Sequence, residues 1–245
     1  MVQKLPIFPL NAVLFPGAPL QLHIFEERYR QMIGRCVEQN SPFGVVLIRV
    51  GSEINPDDPW VRRQIEAAGG GDPELNMLRR QLGGEAVPYA VGTTAQINAG
   101  ESVRLEDGRY YLIALGQRRF RIQYLVQRQP YLIASVAYLA EESTPDSAKL
   151  ANQVRGLYVR YWEVISALTG VAKPPDELPE SVADLSYWMA HRLQVDNYQK
   201  QRWLEADLTN RLRAISAAFR TELAMFRGSE PGERERGSSR PGSWN

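Results

Sequence analysis

Few side chains in this sequence can carry covalent or metal chemistry. The only imidazoles are His23 and His191, and the only thiol is Cys36. Hydrolysis by a protein nucleophile needs a base within hydrogen-bond reach of it. No G-x-S-x-G stretch presents such a serine. His23 falls in an alternating strand pattern and His191 in a helical one, so both read as structural histidines. Cys36 lies on an apolar helical face, where a thiol behaves as a small hydrophobe. Two distant histidines and one cysteine supply neither H-E-x-x-H nor C-x-x-C spacing, so no metal or other cofactor is expected. A phosphate-cradling loop needs a lysine directly after glycine, and Lys4, Lys149, Lys173 and Lys200 each follow another residue. These exclusions point away from an enzyme and toward a binding protein.

Two groups of residues could do the binding. Phe25, Glu26, Glu27 and Arg28 stand where a strand pattern gives way to a helical one, and Trp60, Leu75, Met77 and Leu78 fall in a Pro- and Gly-rich insertion. Apolar anchors beside a strand end suit the capture of an extended chain. Core packing is the competing account of Phe25, and anchoring of the insertion that of Trp60 and Met77. A second group, Arg118, Arg119, Phe120 and Arg121, interleaves cations with an aromatic ring, a pattern that can stack on bases and pair with phosphates. RNA binding is therefore the alternative reading. A formal net charge of +1 weighs against it and favours a strand with solvated arginines.

The elements that must position these residues follow from periodicity. Hydrophobic residues form 44% and charged residues 23% of the 245, the profile of a soluble globular chain with room for one large or two small domains. Pro6, Pro9, Pro16 and Pro19 interrupt any helical signal segment near the start, so a cytoplasmic protein is expected. A single cysteine agrees with a reducing compartment.

Leu5-Pro6-Ile7-Phe8-Pro9-Leu10 and Leu14-Phe15-Pro16-Gly17 read as short extended pieces, and Leu20-Gln21-Leu22-His23-Ile24 as a half-buried strand. Tyr29, Met32, Ile33, Cys36 and Val37 then mark one face of a helix, ended by Asn40-Ser41-Pro42. Residues 43–50 form a buried strand. Residues 51–88 are the insertion, with short helical stretches over 61–68 and 74–82 and a Gly69-Gly70-Gly71 break that is costly to order, so mobility is expected. Strand patterns resume over 91–97 and 103–105, turn tightly at Asp107-Gly108, and return over 110–115, 119–124 and 131–139.

After Thr144-Pro145 the chain turns helical. Leu150, Val154, Leu157, Tyr158, Tyr161, Trp162, Ile165 and Leu168 trace one stripe that ends at Gly170. Lys173-Pro174-Pro175 connects it to a capped helix at Ser181-Val182-Ala183-Asp184, and a last long helix carries Leu208, Leu212, Ile215, Phe219, Leu223 and Phe226. The Gly-, Ser-, Pro- and Arg-rich tail over 228–245 is expected to be disordered. The reading is an α+β chain: a β part over 1–142 with one helix and the insertion, then a helical bundle over 143–227.

In this order and spacing, several of these segments resemble the N-terminal substrate-binding domain of Lon proteases. They are Leu5 to Leu10, Leu14 to Gly17, Leu22-His23-Ile24-Phe25-Glu26 with Arg28-Tyr29-Arg30, Phe43 to Ile48, Val91-Gly92-Thr93, Asp107-Gly108-Arg109 and Gly116 to Arg121. The likeness continues at Gln201-Arg202-Trp203-Leu204-Glu205 and Asn210-Arg211-Leu212, and it is lost in the insertion and the tail. The resemblance implies a PUA-like β-pseudobarrel followed by an α-helical subdomain, the division that periodicity reaches separately. It also implies a stand-alone module without the ATPase and peptidase domains, whose expected partners are unfolded or client polypeptides and a protease or other protein complex. No membrane partner is expected.

Overall fold

The computed structural model describes residues 3–51, 58–67, 86–170 and 177–228. The stretch over 74–82 with Leu75, Met77 and Leu78, the triple glycine, the Lys173-Pro174-Pro175 connector and the tail beyond 228 lie outside the described residues. In chain order the elements are β1 (Gln3–Leu10), β2 (Pro19–Ile24), α1 (Glu27–Glu38), β3 (Phe43–Val50), α2 (Pro59–Ala67), β4 (Val87–Pro88), β5 (Val91–Arg104), β6 (Tyr110–Gln127) and β7 (Leu132–Tyr138). Four helices follow: α3 (Pro145–Thr169), α4 (Val182–Arg192), α5 (Asn197–Glu205) and α6 (Leu208–Gly228).

The sheet runs β1-β7-β6-β5-β3-β4, and a parallel pairing of β1 with β3 closes it into a barrel. β2 lies outside that circuit and, among the described residues, pairs only with the first part of β6. Because β1 is covered on both sides, its residues alternate between two cores. Leu5 and Ile7 meet Val46, Phe120, Leu132 and Val136, whereas Phe8 and Leu10 meet Tyr29, Met32 and Phe43 beneath α1. Gly44 makes the first core possible: a Cβ there would stand 2.7 Å from the Phe120 ring and 2.8 Å from Ile7. The fully buried Phe120 ring occupies that space and contributes about 1.5–3 kcal/mol of burial.

Two local expectations change. The segments at 110–115 and 119–124 are one strand, β6, which passes Gly116 without a break. A side chain at Gly116 would lie 2.3 Å from the Phe15 carbonyl, so glycine there permits close approach of the Leu14–Gly17 loop rather than a turn. At Asp107-Gly108 the hairpin closes through Leu105 N to Arg109 O at 2.8 Å, leaving a three-residue loop. Only Gly108 is left-handed, at φ 82°, which is a type I turn with a following αL residue in place of a primed two-residue turn.

In the helical half, Thr144 and Ser147 form a capping box at α3, Pro145 occupies its first turn, and Gly170 ends it at φ 69°. Ser181 caps α4 as its sequence signal implies. α5 is an addition: Asp196 caps it through Gln199 N at 2.7 Å, and it buries Trp203 and Leu204. α3 and α6 lie along each other, with Tyr161 and Phe219 edge to face at 5.6 Å.

One carboxylate is shared by barrel and bundle. Glu141, between β7 and α3, pairs with Arg119 of β6, accepts a bond from Arg211 of α6 at 2.8 Å and another from the Tyr187 hydroxyl of α4. The side chains of Arg119 and Arg211 are 4% and 0% exposed, so both charges depend on that partner. Arg119 also donates to the Ala206 carbonyl at 2.8 Å, and Gln201 donates to the Val91 carbonyl at 3.1 Å. Burial raises the Tyr187 phenol well above its ordinary range, so it remains a donor to Glu141.

Candidate functional site

The junction of β2 with α1 is built by two carboxylates. Asp58 precedes α2, and its Oδ1 accepts from the amides of Trp60 at 2.8 Å and Val61 at 3.3 Å, an N-cap with Pro59 in the first turn. Its Oδ2 accepts from the Glu27 amide at 3.0 Å, so one buried side chain serves the starts of α1 and α2. Glu26 is buried as well, and its Oε2 accepts from Arg28 Nε at 3.0 Å. Trp60 is thereby held against Phe25, their ring centres 4.5 Å apart.

Next to this pair, β2 and β6 place His23 directly opposite Tyr111. The rings stack at 4.3 Å with an interplanar angle of 6°. Val103 of β5 stands opposite Tyr111 on its other side. Tyr111 is 49% exposed, Val103 57% and Ile113 40%, so this face of the sheet is an open apolar surface. Its aromatic part runs from Tyr111 through His23 and Phe25 to Trp60.

The rim is charged. The Arg109 guanidinium lies 5.8 Å from the Trp60 ring centre, pairs with Asp107 at 2.6 Å and approaches His23 Nε2 at 3.4 Å. His23 is held below its ordinary pKa by desolvation first and by Arg109 second, so the ring stays uncharged at neutral pH beside the Arg109 cation. Arg30 donates to the Asp107 carbonyl at 2.9 Å and pairs with Glu27. A cleft of about 310 Å³ adjoins the surface, lined by Phe8, Leu10, Tyr29 and every residue from Gln21 to Glu26.

The residues expected from the sequence divide accordingly. Phe25 and Trp60 come together on a half-exposed surface, Glu27 and Arg28 flank it, and Glu26 is buried beneath it. His23, Tyr111 and Arg109 belong to the same surface and Asp58 is buried beneath it; none of the four is marked as a site residue by the sequence. The Asp58-Pro59 pair is a legible helix start, but the stacking of His23 on Tyr111 depends on the β2–β6 register, for which no local motif exists. The alternative quartet does not form one surface. Phe120 is fully buried and unable to stack on a base, and Arg119 is held by Glu141, which leaves Arg118 and Arg121 exposed. Phe120 points into the barrel core with Leu5, Ile7 and Val46, and Arg119, on the opposite side of the strand, is covered by the helical half.

Other reactive groups are quiet. Cys36 is buried and its thiol is pushed up to about 11 by that burial. His191 borders a second cleft of about 550 Å³ between Pro16–Pro19 and α4, where Arg192 stacks on Trp188 at 3.7 Å. Among the described residues no three His, Cys, Asp or Glu side chains gather as metal ligands.

The family model of the substrate-binding domain of ATP-dependent protease La (Lon) matches residues 4–217. The chain belongs to this family. No ATPase or peptidase domain is matched in it. Lon protease 2 of Myxococcus xanthus is 28% identical over 218 residues, which are 87% of this chain and 23% of that protein. Lon protease of Anaeromyxobacter dehalogenans is 27% identical over 86% of this chain and 22% of its own length. The chain thus spans under a quarter of these two relatives. A LON peptidase N-terminal domain and RING finger protein of Schizosaccharomyces pombe is 25% identical over 83% of the chain and 42% of its own length. Among solved structures, a Lon N-terminal domain protein from Xanthomonas campestris aligns with a TM-score of 0.53 at 24% identity, covering 88% of this chain and 98% of that one. The N-terminal domain of a Mycobacterium avium complex Lon protease aligns with a TM-score of 0.55 at 16% identity. Both share the fold.

Proposed function

We propose that this chain is a non-catalytic recognition module that holds unfolded or client polypeptides, serving as a proteolysis adaptor or protein quality-control factor in the cytoplasm. Its β part over 1–142 carries the binding surface, and its helical part over 143–227 braces the barrel. The observation that carries this reading is the open surface formed by Tyr111, His23, Phe25 and Trp60 on a chain of a substrate-binding family. Rigid aromatic rings with a cationic rim contact apolar side chains of many sequences at low entropic cost. Occurrence of the domain in a protein named for a RING finger supports a role separable from the Lon protease chain. No described helix is long and apolar enough to cross a membrane.

The test is a fluorescence-anisotropy titration with a labelled, permanently unfolded polypeptide, beside its folded parent. Saturable binding of the unfolded form is expected, weakened about tenfold, or ~1.4 kcal/mol, by Trp60→Ala. Affinity no better than that for the folded parent would remove the reading.

A further inference from the structure

We infer that β2 is an open strand edge at which a client polypeptide is captured by β-strand addition, with its apolar side chains at alternate positions. This inference rests on the polypeptide-holding reading and specifies how the chain is gripped.

Three observations carry it. First, β2 is paired on one side only: among the described residues β6 is its sole strand partner. Second, the register says which backbone groups are left over. The Gly116 amide donates to the Ala18 carbonyl at 2.9 Å, and the β2–β6 pairing runs without a bulge from Pro19–Leu115 to Ile24–Tyr110. Residues 20, 22 and 24 therefore bond to β6, and the main-chain groups of Gln21 and His23 point the other way. Pro19, which has no amide hydrogen to offer, occupies the same outward alternation, as proline at a free edge does.

Third, the space is there. The adjoining cleft is lined by every residue from Gln21 to Glu26, not by alternate ones. A cleft over a sheet face touches every second residue, whereas one along a strand edge touches each in turn. Phe8, Leu10 and Tyr29 also line it, so an entering strand meets apolar side chains there. A chain paired to β2 would also extend the row formed by Val103, Tyr111 and His23, placing every second side chain on the aromatic surface about 4.5–5.5 Å from its neighbour. Main-chain bonds then supply sequence-independent affinity, and the row selects apolar residues at alternate positions.

The experiment uses the full chain and three peptides of one sequence, a labelled decamer alternating phenylalanine with serine: the plain peptide and two analogues N-methylated at every second residue, in the two phases. The plain peptide should bind, and at least one methylated phase should lose about tenfold or more, since methylation removes donors and leaves the side chains in place. Gln21→Pro deletes an outward amide without touching the β6 ladder and should weaken the plain peptide similarly, while Gln21→Ala should not. Equal affinity for all three peptides overturns strand addition and leaves aromatic capture standing. No binding by any of them, with unfolded polypeptide still bound, also overturns it. Failure of every chain to bind overturns both readings.

Discussion

Replacing Glu141 by Gln should cost more stability than any other single polar change in this protein. The carboxylate is the shared partner of Arg119, Arg211 and Tyr187, and the two guanidinium side chains are 4% and 0% exposed. An amide of the same shape keeps the packing but removes the negative charge that sits between two buried positive ones. Removing one partner of a buried pair costs about 3–5 kcal/mol, because the remaining charge is stranded in a medium that solvates it poorly. For a domain of this size that corresponds to a drop in Tm of roughly 6–20 °C. Arg211→Met should cost clearly less, since Arg119 and Glu141 remain paired to each other. Urea unfolding followed by tryptophan fluorescence measures both variants, with Trp203 buried in α5 beside the junction as a reporter. A loss below ~1 kcal/mol for E141Q, or a larger loss for R211M, would refute the claim that this carboxylate joins barrel to bundle.

Three further outcomes follow from the same physics. Gly92→Ala would bring a Cβ to 2.3 Å from the Val45 carbonyl, a backbone atom with little room to yield, so a loss of about 1–3 kcal/mol or more is expected in urea melts. Phe120→Ala should cost about 3–5 kcal/mol of stability, whereas Arg121→Ala, at an exposed position of the same strand, should leave the urea midpoint unchanged. His191 is held below its ordinary value near 6.5 by desolvation first, then by Lys200 and Arg192. The unfolded chain therefore takes up a proton that the folded chain refuses, and stability present above pH ~6.5 is lost as the pH falls through that value toward the folded pKa. His191→Gln should flatten this decline between about pH 7 and 5, and identical slopes for the two proteins would show that His191 does not contribute.

The division into barrel and bundle was legible because period-2 and period-3.6 patterns occupy separate stretches, and the caps at Thr144, Ser181 and Gly170 stand where their residue types imply. The merger of two segments into β6 was not, because Gly116 serves as a turn residue in one context and as a close-approach residue in another, and only the position of Phe15 decides between them. α5 escaped notice since its nine residues carry little apolar periodicity and are marked mainly by Asp196. At the site, Phe25 is legible as a residue where a strand pattern gives way to a helical one, and Trp60 as an apolar residue of the insertion. His23 and Tyr111 are 88 positions apart in the chain and meet only through sheet register, and Phe120 changed from candidate to core once alternation had a fixed phase.

On the proposed reading, the surface formed by His23, Phe25, Trp60 and Tyr111 holds unfolded chain. Amide and indole chemical-shift mapping of the full protein during titration with a permanently unfolded polypeptide tests it most directly. Saturable shifts concentrated on β2, the start of α2 around Trp60, and the first half of β6 are predicted. Shifts confined to the helical half, or none at saturating polypeptide, would contradict it.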